Sequence, residues 1–172
     1  QERLDDALAA YRAAERVYRR HDLPLRLAFS ARNIGITLMM QGRYDQALAS
    51  LLQAQRAFTA LRRKGELGSL QLILGNIHYF TARWDAALGH YLRAEALLNE
   101  RGMIGDALVA RRNRAMVYRQ QRRRSQARRL LDEVEARRQE LGDASELAEI
   151  TSIRAGLFAD EQRWRAAREL YQ

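Results

Sequence analysis

Apolar residues recur three and four positions apart along nearly the whole chain, which predicts a succession of amphipathic helices. In the first of them, the positions of Leu4, Leu8, Tyr11, Glu15 and Tyr18 follow this spacing, and four of the five are apolar. Strand-like alternation is absent and there is one proline, so the pattern predicts an all-α fold of about nine helices. The predicted helices cover about 2–20, 25–40, 44–63, 68–81, 84–100, 104–120, 125–141, 144–161 and 164 onward.

The helices belong to a repeat with a period of forty residues. The repeat is marked by one column of alanines: Ala7, Ala47, Ala87, Ala127 and Ala167. A second column is always small: Gly35, Gly75, Ala115 and Ala155. Glycine inside a helix costs about 1 kcal/mol relative to alanine, so we expect a neighbouring helix to cross closely at this column. A fixed period in this range indicates stacked repeats.

Glycines suggest where some of the helices end. Gly65 suits a C-cap for the helix that begins near Tyr44. The pairs Gly65/Gly68 and Gly102/Gly105 are thirty-seven residues apart rather than forty. This offset predicts that one long helix is about a turn longer than its successor.

Each repeat has a small residue in its first helix and an aromatic-Asp-x-Ala-Leu opening in its second. The openings are Tyr44–Leu48 and Trp84–Leu88, and Trp164 stands at the same place in a later copy. This arrangement resembles the tetratricopeptide repeat family. The usual period of that family is 34, so the chain looks like its long variety, found in bacterial multidomain signalling proteins. HEAT and armadillo repeats share the longer period but lack this opening.

The resemblance implies a right-handed superhelical solenoid of antiparallel helix pairs. We expect one array over 1–172, and a fragment of a longer protein because both ends fall inside repeats. The expected parts are the second helix of a truncated repeat at 1–20, full repeats at 25–63, 66–100 and 103–141, and a truncated repeat at 144–172.

By the same resemblance, the first helix of each pair lines a concave surface that binds a protein or peptide. The residues expected to contact the partner are Phe29, Arg32, Ile36, Met39, Leu72, Asn76, Tyr79, Arg112, Met116 and Arg119. The earlier residues are mostly apolar, whereas Arg112 and Arg119 suit bidentate capture of a carboxylate or phosphate. We therefore expect a peptide with apolar anchors and an acidic end. The alternative is that these apolar residues pack against neighbouring helices.

The formal net charge is +9, and the segment from Arg101 to Leu131 contains ten arginines and one acid. Such a segment can serve acidic partners or nucleic acid, or it can be a solvated helix face. Nucleic-acid contact by the Arg101–Arg129 region is therefore an alternative function, with Arg122, Arg123 and Arg124 as a basic edge. A third alternative is a structural spacer or oligomerisation segment. Self-association end to end would use Trp164, Leu170 and Tyr171, which begin a helix with no following neighbour.

Nothing in the sequence indicates an enzyme, a cofactor or a metal site. There is no cysteine, and none of the three histidines has a partner at metal-ligand spacing. Phosphate-binding loops and nucleophile motifs are absent. No apolar run approaches the roughly 18 residues that span a bilayer. We therefore expect a non-enzymatic, cytoplasmic protein without membrane contact.

Overall fold

The computed structural model describes residues 2–143 and 147–160, which form eight helices. The helices are α1 (Glu2–Arg20), α2 (Pro24–Met40), α3 (Tyr44–Ala60), α4 (Lys64–Phe80), α5 (Trp84–Glu100), α6 (Ile104–Gln120), α7 (Arg124–Glu140) and α8 (Leu147–Asp160). No strand occurs among these residues. The predicted all-α fold of repeated helix pairs is confirmed. The helix predicted from 164 onward lies outside the described residues, and so do Trp164, Leu170 and Tyr171.

The forty-residue period has a simple structural basis. Helices α2 to α7 each have 17 residues, and a three-residue turn separates each of α2 to α6 from the helix that follows it. A helix therefore begins every twenty residues, and two helices with their turns make one repeat. Because three-residue turns join them, consecutive helices from α1 to α5 pack as antiparallel hairpins in the N-terminal part, and so do α6 and α7.

The middle residue of every described turn adopts the left-handed conformation that ends a helix. These residues are Asp22, Gly42, Arg62, Ala82, Gly102, Arg122 and Gly142. After α2, the N–H of Arg43 donates to the carbonyl of Leu38 at 2.9 Å, and the N–H of Gly42 donates to Met39. This is the Schellman pattern, which satisfies carbonyls that the helix itself leaves unpaired.

Two predictions at the helix ends are wrong. Gly65 is not a C-cap, because Arg62 takes the left-handed position and α4 already begins at Lys64. The helix that begins at Tyr44 is not longer than its successor, because α3 and α5 both have 17 residues. Gly68 lies inside α4, where a Cβ would stand 2.8 Å from Cγ of Leu98.

The chain divides into an N-terminal unit, Gln1–Met103, and a C-terminal unit, Ile104–Gln172. In the N-terminal unit the core includes Leu38, Leu51, Phe58 and Ile77 from successive helices. The small column has the expected role. A Cβ on Gly35 would lie 2.6 Å from Cγ of Leu51, and one on Gly75 would meet the ring of Tyr91.

The core of the C-terminal unit is built from α6, α7 and α8. Apolar residues such as Leu131 and Leu157 are fully buried there. So is Arg138, which is only 2% exposed. Its guanidinium forms an ion pair with Asp143 and donates to the carbonyl of Gly105 at 3.4 Å. A charged side chain is thus part of this interior, with partners close by.

Candidate functional site

The side chains expected to bind a partner occupy four columns on the first helices of the repeats. On α2, α4 and α6 every position in these columns is half-buried, at the border between core and solvent. The columns are 29/69/109, 32/72/112, 36/76/116 and 39/79/119. We define the first-helix face as the surface formed by the members of these columns in the N-terminal unit. They are Phe29, Arg32, Ile36 and Met39 on α2, with Leu72, Asn76 and Tyr79 on α4. Helices α2 and α4 contact each other within the N-terminal unit.

At one end of this face, Phe29 holds Arg32 in place. The Phe29 ring packs edge-on against Phe58, with centroids 5.3 Å apart. The Arg32 guanidinium carbon lies 5.0 Å from the centre of the Phe29 ring, a distance typical of a cation–π contact. Phe29 is thus partly a core residue, and it supports a charge at the surface.

The middle of the face is apolar. Met39 packs against the core of the N-terminal unit. Ile36 and Leu72 are half-buried and offer side-chain surface to solvent. Beside them, Met40 and Phe80 end α2 and α4 and are 64% and 59% exposed.

Two predicted contact residues on α4 already have structural roles. The Tyr91 hydroxyl donates to Oδ1 of Asn76 at 2.8 Å, so Asn76 orients the ring that fills the space beside Gly75. Tyr79 makes edge contacts with Trp84 at 5.4 Å and with Phe80 at 5.9 Å. The Phe80 ring also stacks on Tyr44 at 6.3 Å. An aromatic cluster therefore covers this end of the face.

A groove of about 690 Å³ lies beside Phe29 and Arg32 in the N-terminal unit. We call it the turn groove, because residues from the α3–α4 turn and from the end of α5 surround it. It is lined by Phe29, Arg32, Arg62, Arg63, Lys64, Gly65, Glu66, Ser69, Glu100, Arg101 and Met103. Phe29 and Arg32 were predicted as contact residues, and Ser69 shares the column of Phe29, whereas the other lining residues were not predicted as site residues. They come from three separate stretches, and the helical spacing does not relate them.

Charge dominates the turn groove. Arg63 pairs with Glu66, and Lys64 pairs with Glu100. The hydrogen bond from Arg63 lowers the pKa of the Glu66 carboxyl. Burial lowers the pKa of the Arg32 guanidinium, and the charge of Glu66 partly opposes this shift. The cations outnumber the carboxylates, so the groove is suited to an acidic group.

In the C-terminal unit the predicted contact residues are also partly engaged. Arg112 donates to Oδ1 of Asn113 at 3.3 Å, and Met116 packs against the core. Arg119 donates to Asp160 at 2.7 Å, and this hydrogen bond lowers the pKa of the Asp160 carboxyl. Asp160 lies forty-one residues from Arg119 in sequence, so helical spacing could not indicate this pairing.

The basic edge is less uniform than its sequence suggests. Arg122 and Arg123 are exposed, and the Arg123 guanidinium lies 5.9 Å from the Tyr118 ring centre. Arg124 donates to the carbonyl oxygen of Asp160 at 2.8 Å. Farther along α7, Glu133 pairs with Arg129 at 3.0 Å and with Arg111 at 3.7 Å. Acids outside the Arg-rich segment thus neutralise part of its charge.

His78 and His90 stack on each other in the N-terminal unit. Their ring centroids are 4.9 Å apart and nearly parallel. Nδ1 of His90 is hydrogen-bonded to Oε1 of Gln71 at 2.7 Å. Burial, with the charges of His78 and Arg93, lowers the pKa of His90 to about 4. Both imidazoles are therefore neutral near pH 7.

Within 2–143 and 147–160, no group of three His, Cys, Asp or Glu side chains could hold a metal ion. None of the helices described in those ranges is both long enough and apolar enough to cross a membrane.

A tetratricopeptide repeat family model matches residues 26–100. The fold is similar to the crystal structure of BtubC (BKLC) from P. vanneervenii, with a TM-score of 0.77 and 19% sequence identity. The match covers 97% of this chain and 71% of that chain, and at this identity it concerns the fold alone. No curated protein matches the sequence. The resemblance carried by the small column and the aromatic openings is confirmed by the tetratricopeptide repeat family model that matches residues 26–100.

Proposed function

We propose that this chain is a protein–protein interaction scaffold that binds a peptide segment or partner domain on the first-helix face. The observation that carries the proposal is the combination of half-buried apolar side chains on α2 and α4 with a cationic groove beside them. The family whose model matches residues 26–100 consists generally of non-catalytic scaffolds for protein–protein interaction.

The composition of the face suits a peptide with apolar anchors. Ile36 and Leu72 are already partly shielded by their neighbours, so a ligand side chain can remove the remaining surface from water at little cost in ordering. Met40 adds a flexible, polarisable side chain that adapts to different partners. Tyr79, held by Trp84 and Phe80, is a rigid aromatic of the kind that dominates binding energy.

The acidic end of the ligand would lie near Arg32. This placement differs from the sequence expectation, which assigned the acid to Arg112 and Arg119. Arg119 is already paired with Asp160, whereas Arg32 has no acid within ion-pair distance among the described residues. We further propose that the chain is a cytoplasmic regulatory or sensor module of a larger bacterial signalling protein and is not itself an enzyme.

The test uses two leucines with matched chemistry. Leu72 lies on the first-helix face, whereas Leu92 lies on α5 and is 48% exposed. Peptides selected from a displayed random library against the wild-type chain should bind Leu72→Ala or Tyr79→Ala at least about tenfold more weakly, the loss expected for an interface hot spot. Leu92→Ala should bind within about twofold of the wild type. Fluorescence anisotropy with each selected peptide measures these constants.

Equal affinity of the wild type, Leu72→Ala and Tyr79→Ala would place recognition elsewhere and contradict the proposal. Circular dichroism of each variant verifies that its helices are intact. The partner from the host is then captured from lysate with the wild type and with the same variants. Its capture should depend on Leu72 and Tyr79 in the same way as the binding of the selected peptides.

A further inference from the structure

The turn groove holds more positive charge than its own acids neutralise. Its five cations are Arg32, Arg62, Arg63, Lys64 and Arg101, and its two acids are Glu66 and Glu100. The difference, 5 − 2, leaves a formal charge of +3. Both acids are already used, Glu66 by Arg63 and Glu100 by Lys64. Arg32, Arg62 and Arg101 have no acidic partner within the described part of the chain.

Arg32 is the most constrained of these three cations. Its guanidinium packs against Phe29 and is half-buried. Its Nε is buried and has no hydrogen-bond partner. Because Nε is closed to a ligand, the terminal N–H groups of the guanidinium are the donors that a ligand oxygen would meet, and one of them also donates to Oδ1 of Asn33 at 3.5 Å. A guanidinium also offers its N–H groups as a planar fork that matches oxyanions.

The formal charge of +3 in the turn groove favours some oxyanions over others as ligands. One carboxylate would neutralise only a third of it. A phosphate monoester carries nearly two negative charges near neutral pH and three acceptor oxygens, which matches three guanidinium groups without an acidic partner more closely. The walls of the groove are not wholly polar, because the Phe29 ring and Met103 also line it. An organic group that carries the phosphate can therefore pack beside it.

We propose that the turn groove binds a phosphate monoester carried by a partner polypeptide, that is, a phosphorylated serine, threonine or tyrosine side chain. Arg32, Arg62 and Arg101 would contact its oxygens. The inference rests on the proposed function, since the phosphate would enter on a segment bound at the neighbouring first-helix face. It differs from a clamp spread over the first helices of three repeats, because here Arg62 lies in one turn and Arg101 in another.

The test uses small probes, so it does not depend on a partner. Phenyl phosphate, benzoate and inorganic phosphate are titrated into the ¹⁵N-labelled chain in a low-salt buffer without phosphate. We expect phenyl phosphate to shift the amide signals of Gly65, Ser69 and Arg101 saturably. Benzoate has the same ring and half the charge, and it should bind at least about tenfold more weakly. Inorganic phosphate should also bind more weakly, because it lacks the ring.

Three arginine substitutions locate the site. Arg32→Gln and Arg101→Gln should each weaken phenyl phosphate at least about tenfold, the scale of one charge-assisted contact. Arg56→Gln removes an exposed charge from α3 of the same unit, outside the groove lining, and should leave binding within about twofold. If Arg32→Gln perturbs the fold, the comparison of Arg101→Gln with Arg56→Gln still tests the site, because Arg101 is exposed.

The inference is overturned if the groove amides do not shift, if benzoate or inorganic phosphate binds as tightly as phenyl phosphate, or if Arg56→Gln weakens binding as much as Arg101→Gln. Failure here is separable from failure of the proposed function. Peptides selected without phosphate would still depend on Leu72 and Tyr79 if only the phosphate site were wrong. Conversely, phenyl phosphate would still bind the groove if only the first-helix face were wrong.

Discussion

Where the N-terminal unit has Phe58 and Leu98 in its core, the C-terminal unit has Arg138. All three positions are buried and lie forty residues apart. In each case the residue five positions later donates its N–H to the carbonyl of this residue. An apolar contact often joins the two side chains of such a helix end. In the C-terminal unit an ion pair, Arg138 with Asp143, takes that place.

Other columns change in the same direction. The aromatic residue that opens the second helix, Tyr44 or Trp84, becomes Arg124. The exposed apolar residue at the end of the first helix, Met40 or Phe80, becomes Gln120. The backbone frame of α2 to α7 is the same in both units, with helices of 17 residues and left-handed turns. The repeated backbone therefore determines the position of each side chain. A polar or charged residue can replace an apolar one at such a position if another side chain close by can pair with it.

The largest effect should come from the close packing in the N-terminal unit. In Gly75→Ala the new methyl group would collide with the ring of Tyr91, which is buried, and the unfolding free energy should fall by about 2–3 kcal/mol. Gly89→Ala is the control, since nothing lies within 4 Å of its added Cβ. It should gain about 0.5–1 kcal/mol from helix propensity. Urea unfolding measures both; equal effects would refute the packing argument.

Loss of the ion pair in the C-terminal unit should have the next largest effect. Asp143→Asn leaves the buried Arg138 charge without its carboxylate and should cost about 2 kcal/mol. Arg138→Leu restores the apolar residue of the N-terminal unit and should be neutral or stabilising. Thermal unfolding compares the two. If Arg138→Leu destabilised the chain as much as Asp143→Asn, the ion pair itself would contribute to stability, and the expectation that leucine can replace Arg138 would be wrong.

A pH effect should arise in the N-terminal unit, which contains all three histidines. The pKa of His90 is lowered to about 4 in the folded state, whereas its unfolded value is about 6.5. The unfolded chain therefore binds more protons between these values, and stability is complete above about pH 7 and falls as the pH drops toward 4. Since His90 is only half-buried, we expect a loss of about 1 kcal/mol.

The control for the pH effect is His90→Phe, which keeps a ring beside His78 but cannot titrate. Its stability should change less between pH 7 and pH 5 than that of the wild type. The pKa of His78 is also lowered, by burial and by Arg83, so a small slope should remain. An unchanged slope would show that His90 is not its source.

The smallest effect should be common to both units, because it concerns the shared turns. Ala82 and Arg122 adopt a left-handed conformation with φ of 55° and 59°. Ala82→Gly and Arg122→Gly should each stabilise the chain by up to about 1 kcal/mol, since glycine adopts this conformation without strain. Gly42→Ala, at φ 73°, should do the reverse. Melting temperatures measured side by side would test whether the turns are equivalent.

Much of the fold was predictable because it depends on residue types that recur every forty residues. Gly35 and Gly75 lie where helices cross closely, and the sequence predicted this from the cost of a helical glycine. The turn before α4 was not predictable in the same way. Its left-handed residue is Arg62. The helix end was assigned to Gly65 because glycine is the usual residue in this conformation.

The candidate site was only partly predictable. Helical spacing placed Ile36 and Leu72 on one face. It could not show that Asn76 is engaged by Tyr91, or that Asp160 pairs with Arg119. Such pairings depend on side chains that come from other helices. The turn groove was missed for the same reason.

Partners are expected to bind beside the first-helix face rather than on α5. The chain has no cysteine, so Met40→Cys, which is 64% exposed beside this face, and Leu92→Cys on α5 each carry a single thiol for a photoreactive benzophenone label. After irradiation in host lysate, we expect a protein adduct from position 40 and none from position 92. An adduct from position 92 with none from position 40 would contradict the assignment of the face.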